Sequence, residues 1–260
     1  MINSKFVEAG GLRVHYLEAG AGTPLILLHG GLATAEASWR EPLPGLAEAY
    51  HVLAPDSRGH GGTGNPAPSL SYAQMADDVA AFIEKLGLER PLIAGYSDGG
   101  QIALEFGLRH PGKARALVLG GTVDRLHPTS RDGLMSWGFR GPGNIDHGAM
   151  ENAWGDFYRS LPKLHGPGQA PDHWRALLDQ ISALWIGVPT YTAAQLATVG
   201  EPALVICGDR DELGATEAAM GLLAGLPRGE LGVVPDADHG VSEKPLFWDI
   251  VRDFLARHAG

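Results

Sequence analysis

The chain has 260 residues, 44% of them hydrophobic and 19% charged, a globular composition long enough to bury a core without disulfides or metals. Its 20 lysines and arginines against 30 acids give a formal net charge of −10; with no Lys/Arg run to offset it, this disfavours nucleic acid as a partner. A lone cysteine, Cys207, excludes an internal disulfide framework, and no apolar stretch is long enough for a signal-peptide core or a membrane span, so a cytoplasmic protein is expected.

The segment from Phe6 to Glu18 reads as an antiparallel hairpin turning at Gly10 and Gly11. Short apolar runs then predict strands at 25–28, 51–54, 91–94, 116–119, 203–207 and 230–234. Helical spacing over 71–87, 98–109, 214–224 and 241–258 separates them. This alternation is that of an α/β protein, a parallel sheet covered by helices. It stops between 122 and 198, where helices near 145–160 and 172–186 follow without intervening strands, broken by Pro142, Pro162, Pro167, Pro171 and Pro189. The same segment holds Trp137, Trp154, Trp174 and Trp185. Two pieces follow: a core of residues 1–121 and 199–260, and an inserted helical cap, 122–198, that serves as an aromatic lid over the strand ends. The alternative is a helical subdomain whose tryptophans fill its own small core.

Glycine is the compositional outlier at 37 residues, and many glycines fall directly after the predicted strands. In open α/β sheets that carboxyl edge is where ligands bind. One such turn, Gly95-Tyr-Ser97-Asp-Gly99, is a G-x-S-x-G placed between a strand and a helix, a setting that lifts the serine hydroxyl above the sheet edge. A hydroxyl is a poor nucleophile and needs a base, itself oriented by an acid. His239 follows the last strand, and Asp209 and Asp211 follow the one before it, so all three share the edge of Ser97. The histidines are otherwise scattered, with no His-Glu-x-x-His and no paired cysteines, so no metal site is read. Cys207 fills a strand position.

These residues, with His29-Gly-Gly31 and the run from Asp56 to Gly64, give a chain that resembles the α/β-hydrolases over nearly its whole length. The Ser97-Asp-Gly-Gly100 run is similar to that of the valacyclovir-hydrolase-like esterases. The resemblance implies a mostly parallel eight-stranded sheet with an inserted helical cap, and a serine hydrolase that needs no cofactor. It also sorts the acids. The triad carboxylate is usually the fourth residue of the Gly-x-x-Asp turn, here Asp211, which leaves Asp209 as a turn residue; some members place it after an earlier strand, where this chain has Asp124. The family's oxyanion donors are backbone N–H groups, which map onto Gly31 and Asp98. Arg58 and His60 are expected to bond neighbouring loops. Haloalkane dehalogenases and epoxide hydrolases use an aspartate nucleophile, and this chain has Ser97.

The expected activity is cleavage of a small carboxylic ester by Ser97, His239 and Asp211 through an acyl-enzyme. A lactonase, a C–C bond hydrolase or a cofactor-free perhydrolase would use the same residues, and a hydrolase-fold ligand receptor is the non-enzymatic alternative. Asp98 supports two readings: a carboxylate that attracts a substrate cation, or an acid suited to the N-terminal end of a helix.

Overall fold

A computed structural model describes every residue except Pro68, Pro167 and Gly168. The opening hairpin, β1 (Asn3–Ala9) and β2 (Leu12–Ala19), turns at Gly10 and Gly11, both at positive φ, which glycine adopts without a Cβ clash. β3 (Thr23–Leu28) leads through α1 (Ala35–Trp39) and α2 (Leu43–Leu46) to β4 (Tyr50–Pro55). Then come α3 (Tyr72–Lys85), β5 (Leu92–Tyr96), α4 (Asp98–Arg109) and β6 (Leu117–Gly120). After β6 the chain forms α5 (Pro128–Ser136), a small hairpin of β7 (Phe139–Gly141) and β8 (Asn144–Ile145), α6 (His147–Trp154), α7 (Asp156–Leu164), α8 (His173–Ile186) and α9 (Ala193–Leu196). It returns to the sheet as β9 (Ala203–Gly208), α10 (Ala215–Gly225), β10 (Gly229–Val234) and α11 (Pro245–His258).

The eight-stranded sheet has the order β1-β2-β4-β3-β5-β6-β9-β10; β1 and β2 run antiparallel to their neighbours and the rest are parallel. The expected fold class is the one observed. Parallel strands buried on both faces read as continuous apolar runs, and Leu25 to Leu28 and Ala203 to Cys207 are all at most 2% exposed. Alternate side chains feed two cores: Ile26, Leu28 and Ile93 pack with Phe82 and Phe106, while Leu25, Leu27 and Leu92 pack with Trp39 and Phe254. From β3 the chain moves to β4 on one side, and from β5 to β6 on the other. The loops leaving β3 and β5 therefore part and open a crevice at the carboxyl edge.

Residues 122–198 are more varied than their periodicity implies. The helix α5 and the β7–β8 hairpin were not expected; strands of three and two residues are too short to show a period. The stretch at 145–160 is two helices, α6 and α7, parted by Gly155 at φ +52. Pro162 sits inside α7, and Pro167, read as a helix breaker, lies outside the described residues. The aromatic side chains of this segment pack on one another, with ring centroids 5.5 Å apart for Trp137 and Trp154 and 4.8 Å for Phe139 and Trp185. Among the described residues no helix is long and apolar enough to cross a membrane.

Candidate active site

Ser97 sits between β5 and α4 at φ 55 and ψ −118, a conformation that a residue with a Cβ adopts only when its surroundings impose it. Its N–H donates to Gly120 O (2.7 Å), and its C=O accepts from Gln101 N–H (3.0 Å). Glycines make the turn possible. A Cβ on Gly95 would lie 2.0 Å from Gly99 O, and one on Gly100 would lie 2.1 Å from Thr122 Oγ1. The end of β5 and the start of α4 thus touch backbone to backbone, and Gly100 leaves room for the Thr122 hydroxyl.

The loops after β9 and β10 bring the other two groups to this serine. His239 Nε2 lies 3.0 Å from Ser97 Oγ and Nδ1 lies 2.8 Å from Asp211 Oδ2. An ionised carboxylate only accepts, so Nδ1 carries the proton and Nε2 is left to accept from the serine hydroxyl. The other oxygen of Asp211 accepts from Leu213 N–H (2.9 Å), and Glu212 Oε2 accepts from His239 N–H (3.0 Å). Burial pulls the His239 pKa down, but the charge and hydrogen bond of Asp211, with Glu212 and Asp98 nearby, outweigh it and hold the pKa above 6.5.

Of the three acids considered from the sequence, Asp211 alone meets His239. Asp209 Oδ1 accepts from Ala237 N–H (3.3 Å), a turn contact. Asp124 lies 2.6 Å from His127 and 2.9 Å from Arg125. His60 bonds a neighbouring loop as expected, accepting from Leu32 N–H (3.2 Å), whereas Arg58 pairs with both oxygens of Asp78 on helix α3 (2.6 Å each). Cys207 is buried in β9.

A pocket of about 470 Å³ opens beside Ser97 and His239. Leu126, Leu134, Trp137, Trp185 and Val188 from the inserted segment form its apolar walls, and none of its lining residues is Lys or Arg. The Trp137 ring centroid is 5.7 Å from that of His239. The insert's aromatic residues pack on one another within the same core that covers one face of the sheet, and Trp137 and Trp185 also wall the pocket.

Asp98 is 5% exposed. Its Oδ1 accepts from Tyr72 O–H (2.8 Å) and Trp185 Nε1–H (2.7 Å). Its Oδ2 is buried with no hydrogen-bond partner among the described residues, and a Cβ on Gly31 would lie 2.6 Å from it. Burial raises the Asp98 pKa to about 6, against the opposing pull of Tyr72, Trp185 and His239. The roles of Tyr72 and Trp185 were not legible in the sequence, since nothing local to either points to residue 98. A carboxyl whose pKa is raised on folding holds its proton more tightly in the folded state, so it destabilises the fold progressively as pH rises from about 4 to 6 and fully above that. Asp98→Asn, which keeps an acceptor for both donors, is expected to gain about 2 kcal/mol relative to wild type between pH 4 and pH 7. Urea unfolding of both proteins at the two pH values measures this; an equal gap at both would contradict it.

A family model described as "alpha/beta hydrolase fold" matches residues 23–244. The chain is 27% identical to 2-hydroxymuconate semialdehyde hydrolase of Pseudomonas sp. (strain CF600), over 96% of this chain and 93% of that one. Among solved structures it is similar to a serine hydrolase from the polyaromatic hydrocarbon-degrading bacterium Cycloclasticus zankles (TM-score 0.82, 24% identity, 98% of each chain). It is also similar to a serine hydrolase involved in carbazole degradation (TM-score 0.76, 27% identity, 98% of this chain and 99% of that one).

Proposed function

The chain belongs to the α/β-hydrolase family, and from that footing we propose that it is a serine hydrolase cleaving small, uncharged carboxylic esters. The observation that carries this reading is the unbroken hydrogen-bonded chain from Asp211 through His239 to Ser97 beside an apolar pocket. His239 Nε2 takes the serine proton as Oγ attacks the ester carbonyl, and Asp211 stabilises the imidazolium that forms. The backbone N–H groups of Gly31 and Asp98 receive the oxyanion. His239 then protonates the departing alcohol, and a water deprotonated by His239 cleaves the acyl-enzyme to release the acid. Residues 122–198 act as a lid that supplies most of the apolar wall and excludes water from the carbonyl.

The pocket's charged groups supply the restriction to uncharged substrates. Asp98 and His239 are its carboxyl and imidazole groups, and among the described residues no Lys or Arg lines it to neutralise an anion. A carboxylate-bearing substrate would meet Asp98 in a low dielectric, a repulsion worth several-fold or more in affinity. Near full-length likeness to a hydrolase named for a muconate favours a second reading, hydrolysis of a carbon–carbon bond on the same residues. A substrate panel separates the two: p-nitrophenyl esters from acetyl to octanoyl, a neutral lactone, and 2-hydroxymuconate semialdehyde, an oxo-dienoate and the compound for which that relative is named. Highest kcat/KM on a short neutral ester, over many turnovers, is the expected result. Preference for the oxo-dienoate overturns the ester reading, and a single turnover on every member would favour a ligand receptor.

A further inference from the structure

The inserted segment also reaches the loop that carries Gly31, through a histidine that the reaction scheme leaves idle. Leu32 has φ +59, the left-handed region that a bulky side chain disfavours. Both of its backbone polar groups are held by imidazoles. Its N–H donates to His60 Nε2 (3.2 Å), and its C=O accepts from His165 Nε2–H (2.8 Å). The second nitrogen of His165 accepts from Gly61 N–H (3.1 Å), so one ring clips together the loops after β3 and β4. Two residues before Leu32, Gly30 O accepts from His29 Nδ1–H (2.8 Å), and the Gly30–Gly31 peptide plane is the one that bears the Gly31 N–H.

Three imidazoles in a row would ordinarily suggest a metal site. Here each ring nitrogen already has a backbone partner: His29 Nε2 accepts from Ser57 N–H (2.9 Å) and His60 Nδ1–H donates to Arg58 O (3.0 Å). The rings of His29 and His60 are tilted, with centroids 5.1 Å apart, and those of His60 and His165 meet edge to face at 5.5 Å. Burial pushes all three toward the neutral form, His165 down to about 4, which suits groups that must each donate once and accept once. His165, 1% exposed, follows α7 and belongs to the insert, whereas its partners belong to the core.

We propose that His165 is a positioning residue for the oxyanion hole. By bridging Leu32 C=O and Gly61 N–H, it holds Leu32 in its left-handed conformation and so aims the neighbouring Gly31 N–H at the oxygen that gains charge during attack. Trp185, also from the insert, does the equivalent for the second donor residue by bonding Asp98. Both halves of the hole are thus tied to the segment that walls the pocket. This inference rests on Gly31 and Asp98 serving as the oxyanion donors, as in the ester hydrolysis proposed above.

The test compares His165→Leu, which makes neither bond, with His165→Gln, whose amide can donate to Leu32 O and accept from Gly61 N–H. In the leucine variant kcat on the best ester should fall about 10- to 100-fold, less than or equal to the loss of a whole oxyanion donor, with KM changed no more than about twofold. The glutamine variant should regain most of it. Affinity for an alkyl boronic acid, which becomes a tetrahedral anion on Ser97, should fall in step with kcat/KM, while affinity for the planar, unreactive amide analogue stays as in wild type. A merely structural role would weaken both ligands together, and that result, an unchanged kcat, or a glutamine variant no better than leucine would overturn the proposal. If the leucine variant does not fold, His165→Asn, too short to span both partners, replaces it with the same expectations. Absence of ester turnover and of boronate binding in the wild type would count against the underlying hydrolase reading, whereas an active wild type with a fully active leucine variant would count against His165 alone.

Discussion

Ser97→Ala is expected to lower kcat on a p-nitrophenyl ester by about 10⁴-fold or more, because no acyl-enzyme can form without Oγ. His239→Ala should cost about as much, and the double variant little more, since the two groups act as a unit. In the wild type the acid limb of the kcat/KM profile should lie above pH 6.5. His239 must be unprotonated to accept the serine proton, and Asp211 with its neighbours raises the pKa at which that happens. A fluorophosphonate probe should label the wild type and leave Ser97→Ala unlabelled. Labelling of that variant, or retention of most of its activity, would remove Ser97 from the reaction. The labelling control is informative because the fold holds a second chain of the same residue types: Ser4 Oγ lies 2.8 Å from His15 Nε2, and His15 Nδ1 lies 2.7 Å from Asp56 Oδ2. Ser4 stands in an extended, exposed strand, while Asp56 also accepts from Ala35 N–H and Gly62 N–H. Residue types in hydrogen-bond order are therefore not sufficient; the strained turn and the pocket are what single out Ser97.

The second large effect is on stability. Gly99→Ala should cost about 4 kcal/mol or more, near the limit for one substitution, because its Cβ would sit 2.0 Å from Leu28 O and 2.9 Å from His29 O. The Leu28 carbonyl has little room to retreat, since Leu28 ends β3 paired with Gly95 of β5, and His29 follows it directly. Gly112→Ala makes the control. That residue has φ +77, yet a Cβ there meets nothing within 4 Å, so only the left-handed strain of about 1–2 kcal/mol remains. Denaturant unfolding of both variants measures the contrast, and equal losses would show that close approach at residue 99 is not the cause.

The parts of this molecule visible in the sequence are those whose cause is local. The strands at 25–28 and 203–207 are apolar runs because both faces are buried, and the glycines around Ser97 are there because the turn admits nothing larger. Choosing Asp211 over Asp124 and Asp209 needed the family resemblance, since all three follow strands and only the folded loops decide which one faces His239. What stayed hidden is carried by contacts between distant segments. Tyr72 and Trp185 meet on Asp98 from α3 and α8, and His165 meets Leu32 across 133 positions. The cation reading of Asp98 could not anticipate that one of its oxygens is already taken twice and that the other is packed against Gly31. The finer likeness to valacyclovir-hydrolase-like esterases rests on the Ser-Asp-Gly-Gly run alone.

The chain leaves the sheet at β6 and rejoins it at β9, and these strands are direct neighbours with Leu117 opposite Ala203. Everything between them can lengthen, shorten or be exchanged while the strand pairing stays intact, and loop closure resists such changes only weakly. Pocket walls can therefore diverge between lineages far faster than the turn that bears Ser97. The exchange has a restriction: a transplanted segment without counterparts of His165 and Trp185 would dock over the core without the bonds that these residues make to Leu32 O and Asp98 Oδ1. Recombining such segments between homologues should thus yield two populations, one with altered substrate range and one folded but slow, sorted by whether those two contacts were inherited together.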